Sequence, residues 1–222
     1  MSSEISPNPH PVTYFVTPQM TDRNRLTSFF RLILAIPHLI LVGGPGGFGF
    51  SIPFGVFGKG NGTFVGFGGN GALGLVAGVM AFISWFAIVF TGKQPKGLWD
   101  FTHFYLRWRS KAVAYTALLR DEYPPFGDGA YAVDFGAGEF PATRDRWSVG
   151  LRIFYLIPHA VVLFFLGIAW AITAVIGWFA ILFTGAYPEG LYRFGIGYLR
   201  WSLRVEAYAL LMHDEYPPFS LD

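Results

Sequence analysis

The feature that constrains this chain most is a run of 36 residues, 153–188, without any Asp, Glu, Lys or Arg. In a second run, residues 32–92, Lys59 is the only charge among 61 residues. Of all 222 residues 14% are charged, whereas a soluble domain has about 25%. Uncharged apolar runs longer than about 18 residues are typical of membrane spans. The sequence therefore predicts an integral membrane protein.

The hexapeptide DEYPPF occurs twice, at residues 121–126 and 214–219, and closes two copies of a longer repeat. Residues 23–38 align with 144–159 at an offset of 121, whereas residues 85–126 align with 178–219 at an offset of 93. The first copy therefore contains 28 additional residues between His38 and Trp85. We divide the chain into an N-terminal tail (1–9), a first membrane repeat (10–127) with an insertion at about 43–74, and a second membrane repeat (128–222).

We expect each repeat to contain a helical membrane hairpin. About 20 helical residues cross the ~30 Å of hydrocarbon, so 36 uncharged residues nearly suffice for two short crossings. A turn near residues 167–173 keeps the flanking arginines on one side, as the positive-inside rule prefers. Two such hairpins place 15 of the 16 Lys and Arg on one face. The insertion coincides with the expected turn, where added residues are tolerated. This predicts four short membrane helices with cytoplasmic termini; re-entrant half-helices are the alternative.

A second kind of helix follows each hairpin. Its apolar residues recur at alternating spacings of three and four. They are Leu98, Phe101, Tyr105, Trp108, Ala112, Tyr115 and Leu119 in the first copy, and Leu191, Phe194, Tyr198, Trp201, Val205, Tyr208 and Met212 in the second. An aromatic stripe beside basic residues is typical of an amphipathic helix in the membrane interface. Packing against the hairpins would produce the same stripe.

Short β-branched stretches open the repeats at residues 11–16 and 131–135. We expect two strands there that pair with each other. The predicted fold class is thus an all-α integral membrane protein, a tandem repeat of a helical membrane hairpin followed by an amphipathic interfacial helix, with short strands at the repeat starts.

The insertion is rich in Gly and Phe. Glycines permit tight turns, and phenylalanines give the loop a large apolar surface. We expect it to contact a partner protein or the membrane, with packing on its own protein as the alternative. The candidate contact residues are Phe48, Phe50, Phe54, Phe57, Phe64 and Phe67. Just after them, Gly74 and Gly78 form a GxxxG pattern that permits close helix approach.

Two histidines, His38 and His159, occupy equivalent positions in the apolar runs, each directly after a proline. Ionisable residues at membrane depth are candidates for function. Ligation of a haem or chlorophyll and proton relay are two interpretations. The preferred one is a hydrogen bond to backbone that the neighbouring proline leaves unpaired. We therefore predict no cofactor.

Arginines and acids at the two ends of each repeat form the other candidate site. The set comprises Arg23, Arg25, Arg31, Asp121 and Glu122 in the first copy, and Arg144, Arg146, Arg152, Asp214 and Glu215 in the second. The arginines fit three roles: a topology signal, contacts to anionic lipid phosphates, or pairing with the acids. The acids follow the C-terminal ends of helices, where a negative charge is unfavourable. We therefore expect a repeated Asp/Glu–Arg clasp.

The strings RLILAIPH, WFAIVFTG, YLRW and YPPF, with the counterparts WFAILFTGAYPEGL and YLRWSLRVEAY, resemble those of a bacterial membrane-domain family, the domain of unknown function numbered 4389. The resemblance covers both repeats, and the Gly/Phe insertion departs from it. It implies location in the bacterial inner membrane. It transfers no activity and no catalytic residue.

Nucleotide-binding, nucleophile-elbow and zinc-protease motifs do not occur in the sequence. We therefore predict no enzymatic activity, no catalytic residue, no metal site and no nucleic-acid partner. The expected function is an accessory or scaffolding subunit of a membrane assembly, acting as a homo-oligomer or within a larger complex. The alternative is a binder or carrier of lipid or of a hydrophobic small molecule through the interfacial arginines. Membrane lipids are partners in both.

Overall fold

The computed structural model describes residues 10–45, 71–141 and 143–222. They form seven helices and two strands: β1 (Thr13–Val16), α1 (Arg25–Phe29), α2 (Arg31–Val42), α3 (Gly71–Thr91), α4 (Lys96–Thr116), β2 (Val133–Gly136), α5 (Arg146–Gly150), α6 (Arg152–Thr184) and α7 (Glu189–Ala209). Helices α4 and α7 form the central layer. The strands pack on one side of it, and α2, α3 and α6 pack on another.

The strand pair shows how the two repeats are related. β1 and β2 are antiparallel, and Tyr14 lies opposite Phe135, its own counterpart at the offset of 121. Both side chains are buried on the face toward α4 and α7, whereas Phe15 and Asp134 point outward. A pseudo-twofold axis therefore passes through this pair, perpendicular to the sheet. The predicted pairing of the two strands is confirmed.

The second repeat contains no membrane hairpin, and the predicted turn at residues 167–173 is wrong. α6 is one continuous helix of 33 residues. The segment GIAWAIT at the expected turn has a single Gly and otherwise residues that a helix tolerates. The chain turns only after Thr184, where Gly185 adopts a left-handed conformation with φ 73° that favours glycine. α7 then runs back along α6, so the hairpin of each repeat pairs an apolar helix with a polar one.

The first repeat has the same helix in two pieces. Val42 and Gly71 align with the consecutive residues Leu163 and Phe164 of α6, so the insertion enters inside a helix and not at a turn. A Cβ on Gly71 would lie 2.5 Å from the carbonyl carbon and oxygen of Leu41, which shows that α3 begins against the end of α2. The predicted position of the insertion, at the turn of a hairpin, is therefore wrong. Together α2 and α3 reproduce α6.

The apolar stripes of α4 and α7 are buried inside the protein. Tyr105, Trp108 and Tyr115 of α4 are under 9% exposed, and so are Tyr198 and Trp201 of α7. Packing on the apolar helices, the alternative reading of the pattern, is what the structure shows; the stripes do not face a membrane. Leu118 and Leu211, just after the two helices, have φ of 63°, a conformation that costs a non-glycine residue about 1 kcal/mol or more.

Deletion of residues 43–70 tests the helix continuity. Joining Val42 to Gly71 recreates the uninterrupted helix of the second repeat, so we expect a folded protein that still shows a cooperative melting transition in detergent. The matched control deletes residues 167–173, which removes two turns from α6 together with the buried Trp170. That deletion should abolish the cooperative melting transition. The opposite pattern, with only the second deletion tolerated, would contradict the continuous α6.

Candidate functional site

The first arginine–carboxylate clasp joins the two ends of repeat 1. Asp121 Oδ1 accepts hydrogen bonds from Arg23 Nη2 at 2.7 Å and from Arg31 Nη2 at 2.6 Å. Both arginine side chains are nearly inaccessible, at 0% and 2% exposure. Arg23 Nη2 also donates to the carbonyl oxygen of Leu118, and Arg31 Nη1 donates to that of Tyr115, at the end of α4. The left-handed turn at Leu118 thus supplies an acceptor to the clasp.

The second clasp repeats this geometry. Asp214 Oδ1 accepts from Arg144 Nη2 at 2.6 Å and from Arg152 Nη2 at 2.7 Å. Arg144 also donates to the carbonyl oxygen of Leu211, the counterpart of Leu118. Two guanidinium groups per carboxylate leave each clasp with a net charge of +1. The Nε groups of Arg31 and Arg152 have no acceptor among the described residues.

The clasps lower the pKa of their carboxylates. Burial alone would raise the pKa of Asp121, but hydrogen bonds from Arg23 and from the backbone of Asn24, with the nearby arginine charges, lower it. Asp214 behaves the same way with Arg144, Arg152 and the backbone of Asp145. A folded-state pKa below the unfolded value of about 3.9 stabilises the fold above that pH. The contribution is lost as the pH falls below about 4.

Four of the predicted clasp residues lie outside these clusters. Glu122 is exposed, with its carboxylate 3.8 Å from Arg120 Nη2, and Glu215 is exposed. Arg25 and Arg146 are also exposed, and their guanidinium groups lie against Gly185 and Gly92, the turn glycines of the opposite repeat. The backbone N–H of Arg23 also donates to the carbonyl oxygen of Gly185, and that of Arg144 donates to the carbonyl oxygen of Gly92. The start of each repeat is therefore docked on the other repeat.

The two histidines make tryptophan contacts, so their predicted hydrogen bond to proline-freed backbone is wrong. Trp108 Nε1 donates to His38 Nδ1 at 3.0 Å, and Trp201 Nε1 donates to His159 Nδ1 at 3.2 Å. Because indole N–H is only a donor, each Nδ1 accepts and carries no proton. The repeated Trp of YLRW, which belongs to the apolar stripe, was the sequence signal for this contact.

The aromatic residues of both DEYPPF segments cover these histidines. Phe126 stacks on His38 with ring centroids 4.5 Å apart, and Phe219 stacks on His159 at 4.1 Å. Tyr123 and Tyr216 pack against the same imidazoles. The hexapeptide thus has two structural roles: its Asp pairs with the arginines, and its aromatic residues enclose the histidine.

A buried ion pair at the junction of α4 and α7 was missed by sequence reasoning. Arg109 Nε donates to Glu206 Oε2 at 2.8 Å, and both side chains are at most 3% exposed. Burial would lower the pKa of Arg109, but the charge of Glu206 outweighs it and raises that pKa. Arg109 also donates to the carbonyl oxygens of Val42 and Gly44, at the break between α2 and α3.

The ion pair departs from the repeat. The counterpart of Arg109 is Ser202, and that of Glu206 is Val113. In the uninterrupted α6 the carbonyl group of Leu163, the counterpart of Val42, lies within the helix, and Gly44 has no counterpart. This departure from repeat symmetry, next to the insertion, is the sequence signal from which the ion pair could have been predicted. The six candidate phenylalanines of the insertion, from Phe48 to Phe67, lie outside the described residues, so their predicted contacts stay untested.

An apolar cavity of about 440 Å³ lies between α3 and the beginning of α6, above the end of α7. Its walls include Gly74, Gly78 and Phe82 of α3, and Leu210 beyond α7. Arg152 of the second clasp is the charged residue in the lining. A cavity of this size is within the range of small-ligand sites, ~300–1,000 Å³.

The outer surface of α2, α3 and α6 is apolar. Most exposed large hydrophobic side chains of the described residues lie on these helices, among them Ile33, Phe82, Phe90, Phe165 and Phe183. α3 and α6 are each long and apolar enough to cross a membrane. Only a narrow stripe of α6 is buried, and it faces α7.

These features define a duplicated, mostly helical protein with two helices apolar enough to span a bilayer. The chain belongs to the family described as Domain of unknown function (DUF4389), whose model matches residues 70–127 and 146–220. The two matched segments correspond to the two repeats, as expected from the sequence. Comparison with curated proteins and with solved structures gave no match.

Substitution of Asp121 by Asn tests the clasp. It leaves two buried arginines with a neutral partner, and removing one member of a buried ion pair costs about 3–5 kcal/mol. We expect a loss near the lower end of that range in the free energy of unfolding, measured in detergent by tryptophan fluorescence. Glu122→Gln, one residue away and exposed, is the control and should change this free energy by less than about 0.5 kcal/mol. Equal effects of the two variants would refute the clasp.

The pH dependence of stability is a further check. The parent should lose stability below about pH 4, and Asp121→Asn should weaken that dependence.

Proposed function

We propose that this chain is a non-enzymatic membrane protein that acts as an accessory or scaffolding subunit of a membrane assembly. The observation that carries the proposal is the apolar outer surface of α2, α3 and α6. Contiguous apolar surfaces of this kind are rare on soluble monomers and typical of membrane or protein contacts. The charged side chains at the core have structural partners: the arginines of the clasps with Asp121 and Asp214, and Arg109 with Glu206.

The length of α6 favours a position in the plane of the membrane. A helix of 33 residues is about 50 Å long, whereas the hydrocarbon layer measures about 30 Å. A straight crossing that kept all 33 residues inside the hydrocarbon would need a tilt of about 53°, outside the 0–40° range of known membrane helices. A helix lying in one leaflet meets no such mismatch.

The position of α7 gives a second argument for the same arrangement. α7 packs antiparallel to α6, with Tyr208 at Arg152, Trp201 at His159 and Tyr198 at Trp170. If α6 crossed the bilayer, α7 and the sheet would lie at the same depth. Arg193, at 77% side-chain exposure, and the exposed Asp134 would then be in lipid, at a cost of several kcal/mol.

In this orientation the pseudo-twofold axis is parallel to the membrane normal, and the apolar layer is buried in one leaflet. The sheet and the exposed charges of α4 and α7 face the water. We place that face in the cytoplasm, on the inner membrane of a bacterium, from the positive-inside rule and the family resemblance. The predicted multi-pass topology is thereby replaced by insertion from one side.

Depth measurements distinguish in-plane from spanning helices. The sequence has no cysteine, so single spin labels can be attached at Phe154→Cys, Ile168→Cys and Phe183→Cys, all on the exposed surface of α6. The outer two are about 44 Å apart along the helix. We expect the same shallow depth at all three in vesicles, read from collision with oxygen and a water-soluble nickel complex. Glu189→Cys, on the polar side, is the control and should collide mainly with the nickel complex. A central label much deeper than both outer labels would show a spanning helix.

The scaffolding role is tested by native mass spectrometry of protein extracted with its membrane in a mild detergent. We expect species heavier than the 24.7 kDa monomer, either multiples of this chain or complexes with other subunits. Phe179→Ser, on the exposed apolar surface, should reduce these species if that surface makes the contact. A preparation containing the monomer alone would contradict the scaffolding role and leave the membrane placement standing.

Lipid binding is the second candidate function, and the cavity beside Arg152 is the observation in its favour. The cavity adjoins the surface that we place in the leaflet, and its lining is mostly apolar.

A further inference from the structure

We propose that the cavity between α3, α6 and the end of α7 binds one acyl chain of an anionic phospholipid. The proposal rests on the membrane placement argued above, because the occupant is a lipid of the leaflet in which the apolar helices lie. It assigns a specific ligand to the arginine clasp of the second repeat.

The lining determines which part of a lipid fits. Leu75, Val79 and Phe82 of α3 form one wall, and Ile153 and Leu156 of α6 form the other. Leu75, Val79 and Phe82 are each about 60% exposed at the outer surface. The cavity therefore opens sideways into the apolar layer, where acyl chains are the available ligand. Water would gain no hydrogen bonds from these two apolar walls.

Glycine at position 78 keeps this space open. A Cβ at Gly78 would meet no atom of the described residues within 4 Å. The GxxxG pattern predicted close helix approach, yet at Gly78 no helix of the described chain approaches. The repeat counterpart of Gly78 is Ala171, which lies exposed on α6. The small residue at 78 thus has no packing role that the structure shows, and it enlarges the cavity.

The charged end of the cavity selects the headgroup. Arg152 is a lining residue of the cavity; its side chain is 3% exposed, and its Nε has no acceptor among the described residues. The clasp around it carries a net positive charge, since Arg144 and Arg152 share Asp214. A lipid phosphate oxygen provides both the acceptor and the complementary charge, because guanidinium groups suit phosphate. A neutral lipid provides the acceptor without the net charge.

Native mass spectrometry of the full chain released from nanodiscs tests the proposal. In discs of mixed phosphatidylglycerol and phosphatidylcholine, we expect the parent to retain one phosphatidylglycerol. Gly78→Leu fills the cavity and should lower this retention about tenfold. Ala171→Leu, the same change at the equivalent position of the other repeat, should retain the lipid as the parent does. Melting temperatures of all three proteins show that the variants are folded.

The outcomes separate this proposal from the proposed function. Failure of the parent to enter nanodiscs would overturn the membrane placement. Entry without a retained lipid, or equal retention by Gly78→Leu and the parent, would overturn the acyl-chain site alone. Equal retention of phosphatidylcholine would overturn the headgroup selection. A dimer in the parent that Gly78→Leu abolishes, without bound lipid, would assign the cavity to a second copy of the chain and overturn the lipid.

Discussion

The pairing of one carboxylate with two buried arginines is the interaction on which each repeat depends. Asp121 holds Arg23 and Arg31, which precede and begin the apolar helix, against the end of α4. Without that partner, two guanidinium groups would lie next to apolar helices with no compensating charge, a cost of several kcal/mol each. The clasp therefore fixes where the apolar helix begins relative to the polar helix that returns along it. The same construction in the second repeat makes the two halves superimposable.

The twofold relation then builds the whole molecule from these halves. The strands pair about the axis, and the short helices α1 and α5 dock on the opposite repeat. Trp178 Nε1 donates to Ser28 in one direction and Trp85 Nε1 to Val149 in the other. Because each repeat holds the start of the other, neither half is a separate folding unit in this arrangement. Symmetry is broken where the insertion divides the helix, and Arg109 with Glu206 compensates there.

The apolar layer sets the relation of the protein to its surroundings. α6 is buried along one stripe only, so the rest of its circumference needs an apolar environment. A leaflet provides that environment without placing the charges of α7 in lipid. The cavity beside Arg152 lies where the apolar layer meets a clasp, and this junction of an apolar wall with an excess positive charge is what points to an anionic lipid.

The sequence by itself determined the duplication, the apolar runs, the family and the strands that pair, because each of these is recorded as a local pattern of residue types. It also brought the arginines and acids of each repeat together as candidates. Only the tertiary structure decided which of them meet. Asp121 and Asp214 enter the clasps while the adjacent Glu122 and Glu215 remain exposed, since one side chain of each pair faces the arginines.

The tertiary structure likewise decided that the apolar run is one helix. Its length was compatible with one helix or two, and the choice depended on the packing of α7 against it. The Trp–His contacts and the Arg109–Glu206 pair join residues from different helices, and such contacts leave no periodic signal in the sequence.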